Sequence, residues 1–157
     1  MGIIIVFLTL FSGVALGTQS AINGTFSRKA GTIETTFLTF ITGAMLLTII
    51  VLFFGHGNIL AIFKVPVWQL SAVFFGILFV LFSVIAVPSI GIIAANITII
   101  VGQLIAGIVI DNFGWFNSLV IPFDIKRFVG LLFMFVALYF IYKGNTKDTK
   151  KSYTNTD

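Results

Sequence analysis

A chain of 157 residues that is 59% hydrophobic and 9% charged, with mean hydropathy +1.16, has too little polar surface to cover a soluble globule. It contains no Cys, which excludes a disulfide framework, a thiolate metal site and a cysteine nucleophile. The formal charge of +4 leans on Lys143, Lys147, Lys150 and Lys151 near the end of the chain, a topology and lipid-headgroup signal; with no basic patch elsewhere, nucleic acid is excluded as a partner.

An all-α integral membrane protein is the class that remains. A spanning helix needs roughly 20 mostly apolar residues, and the charged side chains cut this chain into five pieces of that size, at about 3–26, 35–54, 67–87, 91–110 and 128–142. The first has no Lys or Arg ahead of it and is too long for the apolar core of a signal peptide, so it is expected to stay as a helix. The charge-free run from Val65 to Ile110 is about twice a span, and Pro88 with Gly91 supplies the break that makes it a helical hairpin. The fifth span is short, but Lys126, Arg127 and Lys143 at its ends can snorkel to the headgroups. Continuous apolar runs without alternation exclude a β-barrel. Residues 1–143 thus form one membrane domain, while 144–157, GNTKDTKKSYTNTD, is polar, Lys-rich and expected to be disordered. The longest connection, from Asp111 to Arg127, has no room for a soluble domain.

Five spans put the two ends of the chain on opposite faces of the bilayer. Lys64, Lys126 and Arg127 fall on the face of the amino terminus, and Arg28, Lys29, Lys143 and the tail lysines on the other. That favours a cytoplasmic tail, but the margin consists of distal lysines, where the positive-inside rule has least force. Near balance with an odd number of spans is the pattern of a chain that inserts both ways up, or that pairs with an opposite-facing partner.

Polar residues inside the spans define the candidate site. Gln19 and Asn23 stand one turn apart in 17-GTQSAING-24, with Ser12 on related turns and Gly13 and Gly17 forming a G-x-x-x-G on the neighbouring strip. In the second span Thr36, Thr39 and Thr42 recur every three residues before Gly43; Thr can satisfy itself on its own helix carbonyls, so this stripe reads as structural. In the fourth, Asn96 and Gln103 are two turns apart, with Ala95, Gly102 and Ala106 at packing spacing. An amide has too many donors and acceptors to hide alone, so Gln19, Asn23, Asn96 and Gln103 are assigned to a polar substrate pathway, while Gly13, Gly17, Gly102 and Ala106 are assigned to helix packing. The alternative for the amides is interhelical glue.

Two carboxylates are candidates for coupling or gating. Glu34 opens the second span, where a carboxylate also suits the positive end of a helix. Asp111 closes the fourth, at the unfavourable end of the dipole and with no partner nearby in sequence; it reads equally as a proton or cation site and as an interfacial loop residue. His56 in 55-GHGN-58 belongs to a solvated turn, and the N-x-T matches at Asn23 and Asn96 lie in or at the end of spans, where glycosylation is not expected. No phosphate loop, H-E-x-x-H or paired-carboxylate motif occurs, so neither catalysis, a metal nor a cofactor is expected.

The stretch 13-GVALGTQSAINGTFSRKAG-31, the hairpin 87-VPSIGIIAANITIIVGQLIAGIVIDNFG-114 and 126-KRFVG-130 resemble the YdcZ-like family of the drug/metabolite transporter superfamily. The resemblance covers nearly the whole chain apart from the tail, and the family's motif positions fall on Gln19, Asn23, Gly24, Gly102, Gln103, Asp111 and Gly114. It implies a five-helix half-unit of a ten-helix inverted-repeat transporter in the plasma (inner, cytoplasmic) membrane. The second half would come from an antiparallel homodimer or an opposite-facing paralogue, or from a fused repeat. The cation-exporting small members of the superfamily carry a mid-span Glu in the first helix; Gln19 and Asn23 occupy that polar face here, which argues against export of cationic drugs. The function expected is carriage of a small polar or amphipathic solute; the alternative is a non-transporting membrane subunit or assembly factor.

Overall fold

The structure, a computed structural model, describes the backbone of residues 2–154 and the side-chain surroundings of residues 2–144. Five helical segments within it are long and apolar enough to cross a membrane, and no strand occurs among the described residues. They are α1 (Gly2–Ala30), α2 (Thr32–Phe54), a span Val67–Ile90 built from the short α3 (Val67–Leu70) and α4 (Ala72–Ile90), α5 (Ile92–Phe113), and α6 (Ile125–Thr154). At 1.5 Å per residue, the 29 residues of α1 measure about 43 Å against a hydrocarbon core of about 30 Å, so its ends reach the headgroups or it tilts. The tail expected to begin at 144 lies, in its side chains from 145 and its backbone from 155, outside the described residues; the helix assignment of α6 runs to Thr154.

Every span extends beyond its expected limits at one end or both. Arg28 and Lys29 belong to the last turn of α1, where cations meet the negative end of the helix dipole. Pro88 lies inside α4, which ends at Ile90, and the break falls on Gly91 alone. The connection between α1 and α2 is likewise one residue, Gly31. The two glycines share a backbone that L side chains rarely adopt, φ 95° and ψ 158° at Gly31 and φ 84° and ψ 159° at Gly91. In both, the glycine carbonyl accepts the first bond of the following helix, from Thr35 N and Ala95 N, each at 3.1 Å.

The chain divides into two compact units, Met1–Ser89 and Ile90–Asp157. In the first, α1 and α2 form an antiparallel hairpin about Gly31, while α1 and α4 run parallel, Ser20 facing Ser83 and Gly24 facing Val87. In the second, α5 packs on α6. Between them the chain folds back on the end of α5. Gly114, in the left-handed conformation at φ 62°, donates to the Ile110 carbonyl, Ile121 N donates to Asp111 O at 3.0 Å, and Phe123 N donates to Asn112 Oδ1 at 3.1 Å. Phe113 stacks on Trp115 at 5.5 Å, aromatic surface suited to a membrane interface.

Candidate functional site

In the first unit the polar residues of α1 fall into two environments. Asn23 is buried and meets Thr39 of α2, the two standing eight residues either side of Gly31, with Thr39 Oγ1 3.1 Å from Asn23 Oδ1. Thr39 Oγ1 is also 2.8 Å from the Thr35 carbonyl. One hydroxyl proton cannot serve both acceptors. Rotating the Asn23 amide by half a turn lets its NH2 donate to Thr39 while Thr39 donates to Thr35, and both contacts become proper hydrogen bonds. One turn earlier, buried Ser20 and Ser83 hydrogen-bond at 3.1 Å and tie α1 to α4. One turn later, a Cβ on Gly24 would lie 2.5 Å from Val87 Cγ1, so this glycine sets the closest approach of the two helices. Arg28 Nη2 then donates to Pro88 O at 3.4 Å, at the carbonyl end of α4, whose dipole favours a cation.

Gln19 points elsewhere. It is exposed, and with Phe11, Val14, Thr18, Ile22 and Asn23 it lines a recess of about 460 Å³ on the face of α1. Among the described residues no partner hydrogen-bonds with the side chains of Gln19, Asn96 or Gln103. Asn96 is half-buried on α5 and Gln103 is exposed. The structure therefore brings Asn23 and Gln19 together on α1, adds Thr39, and leaves the α5 amides in the other unit, described separately. Gly13 and Gly102 have no atom within 4 Å of an added Cβ, so no close helix contact forms at either among the described residues. Thr36, Thr39 and Thr42 bond to their own helix carbonyls at Thr32, Thr35 and Leu38, as the spacing suggests.

Glu34 is the third residue of α2, and its carboxylate folds back over Gly31 so closely that any side chain there would collide with it. This is the position of a helix-start carboxylate beside unpaired N–H groups. Asp111 lies in the last turn of α5, two residues before its end, and its partner is Arg127 in the first turn of α6, Nη1 to Oδ2 at 3.3 Å. The two side chains are 34% and 31% exposed, and they close one end of a groove of about 770 Å³ between α5 and α6. From α5 it is lined by Ile100, Gln103, Leu104, Gly107, Ile108 and Asp111, one helical face; from α6 come Arg127, Gly130, Leu131 and Met134. No group of three or more His, Cys, Asp or Glu able to hold a metal ion occurs among the described residues.

The signals missed in sequence are partners across a hairpin. Thr39 stands sixteen residues from Asn23 and Arg127 sixteen from Asp111, a separation no helical periodicity picks out. Arg127 and Gly130 do both belong to K-R-x-x-G, so the motif marked the right segment.

Five apolar spans define a multi-pass membrane protein, with amides in its spans turned out of their own helix contacts. The family model described as "Putative inner membrane exporter, YdcZ" matches residues 4–140, and the chain belongs to that family. It is accordingly a multi-pass protein of the inner membrane, in a family of exporters. The searches of curated proteins and of solved structures return no match.

Proposed function

We propose that this chain is one half of a carrier for a small polar or amphipathic solute, its second half supplied by an oppositely inserted copy. One observation carries the reading. Gln19 sits in the charge-free stretch of α1, nine residues before Arg28, exposed on the single chain and without a hydrogen-bond partner among the described residues, and an unpaired amide in hydrocarbon costs on the order of several kcal/mol. Such a group is tolerated where it faces a polar passage or another polypeptide. Asn23, locked to Thr39, forms the fixed wall of that recess and Gln19 its free donor and acceptor. Asn96 and Gln103 are the amides that α5 contributes to the pathway, and the open strips at Gly13 and Gly102 suit close packing against a second chain. Alternating access would then rock one inverted half against the other, the one-residue breaks at Gly31 and Gly91 allowing helices to pivot.

The test is Gln19→Leu in cells and in vesicles holding the purified chain. Loss of solute flux with unchanged membrane abundance supports the carrier. Equal loss of abundance assigns Gln19 to helix association, and normal abundance with no flux by the unaltered chain alone favours the non-transporting subunit.

A further inference from the structure

We infer that the α5–α6 groove is a seat for one phospholipid with a zwitterionic headgroup, an ethanolamine phospholipid being the type case, drawn from the leaflet at the Asp111 end. Its dimensions fit one leaflet. From Asp111 to Ile100 the groove follows α5 for eleven residues, about 16 Å at the helical rise, and half the hydrocarbon core is about 15 Å. Its lining changes character along that length. At the interfacial end stand both charges; below them Gly107 and Gly130 leave a floor with no atom within 4 Å of an added Cβ, walled by Leu104, Ile108, Leu131 and Met134. On the helical wheel Gln103 lies at one margin of this stripe and Ile108 at the other, so an acyl chain running along Gly107 keeps to the apolar side.

The charges select the head. Asp111 and Arg127 share one contact, at 3.3 Å, and Asp111 Oδ1 and the remaining guanidinium N–H groups have no partner among the described residues. A phosphate accepts from Arg127 and an ammonium donates to Asp111, which satisfies both ends of the pair at once. A purely anionic head would meet the Asp111 carboxylate without an ammonium to offset it. A helix from a second copy would have to bring two opposite charges to the same end of the groove, whereas the zwitterion carries them already. The seat does not depend on the transport reading: it concerns a lipid held by one chain, whatever that chain carries.

The experiment uses the full chain in vesicles containing a photoreactive phosphatidylethanolamine with its diazirine on the acyl chain, with phosphatidylglycerol carrying the same group as the comparison, and adducts mapped by peptide mass spectrometry. Ethanolamine adducts are expected to concentrate on Leu104, Ile108, Leu131 and Met134 over lipid-exposed residues of α2. Gly107→Leu or, independently, Gly130→Leu fills the floor and should remove them, each variant being checked for helicity and elution. Asp111→Asn should abolish the preference for ethanolamine over glycerol heads, and Arg127→Gln should lower both by about tenfold, the loss of one charge-assisted hydrogen bond. Adducts spread evenly around the spans, equal labelling by both probes in the unaltered chain, or cross-links from these residues to a second copy would overturn the proposal.

Discussion

Gly24→Ala is the smallest change that probes how α1 meets α4. The new Cβ would sit 2.5 Å from Val87 Cγ1 and 2.9 Å from Val87 Cβ. Rotation about the Val87 side chain can carry Cγ1 away, but Cβ is fixed to the backbone, so the helices must part by about 0.6 Å to restore an ordinary separation of about 3.5 Å. That displacement reaches the neighbouring turn, where the 3.1 Å Ser20–Ser83 bond would lengthen to about 3.7 Å and cease to be a hydrogen bond. Overpacking typically costs about 1–3 kcal/mol, and alanine returns up to about 1 kcal/mol through helix propensity. A net destabilisation of about 1–2 kcal/mol is expected in reversible unfolding from detergent micelles. Val87→Gly, which removes that Cβ, should relieve most of it in a double-variant cycle, giving a coupling between the two substitutions of at least about 1 kcal/mol. The chain has no Cys, so Ser20→Cys with Ser83→Cys offers a clean second readout: the pair should oxidise readily, and more slowly when Gly24 is also alanine. A neutral Gly24→Ala, additive with Val87→Gly and without effect on oxidation, would refute the packing account.

Three further outcomes are expected. Thr39→Val should lower stability by about 0.6–1.7 kcal/mol through loss of the Asn23 contact, and in a cycle with Asn23→Ala the two effects should be clearly sub-additive; full additivity would mean the contact carries no energy. Gly31→Ala should cost about 1–3 kcal/mol because φ 95° is strained for an L side chain, and Glu34→Ala should relieve only the part due to collision with the carboxylate, which unfolding of the single and double variants resolves. Exchanging the charges, Asp111→Arg with Arg127→Asp, should recover most of the stability lost in either single variant. The coupling should be about 0.2–1 kcal/mol, because both side chains are about one-third exposed, and should shrink in high salt.

The spans were legible because each is a long uncharged run, a signal that does not depend on what packs against it. Their ends were not, because in sequence a charged residue looks like the boundary of a span. Helices carry charge in their terminal turns: Arg28 and Lys29 extend α1 to Ala30, Asp111 lies inside α5, and Lys126 and Arg127 inside α6. The same effect hid the ion pair, since Asp111 and Arg127 were assigned to the ends of a connection rather than to facing turns of two helices. Pro88 was read as part of the break, yet α4 continues through it for two residues, its neighbour Ser89 donating to the Ile85 carbonyl at 2.8 Å. Within the candidate site the amides were legible as residues that need partners; which partner each takes was not. Asn23 finds Thr39 within the hairpin, while Gln19, on the same helix one turn away, faces outward.

The claim at the centre of the account is that two oppositely inserted copies make one carrier. It is tested most directly by fusing the carboxyl end to reporters that are active only inside or only outside the cell, in a strain producing this chain without a related one. Signal from both reporters is the predicted result. A tail confined to the cytoplasmic face would contradict the inverted homodimer.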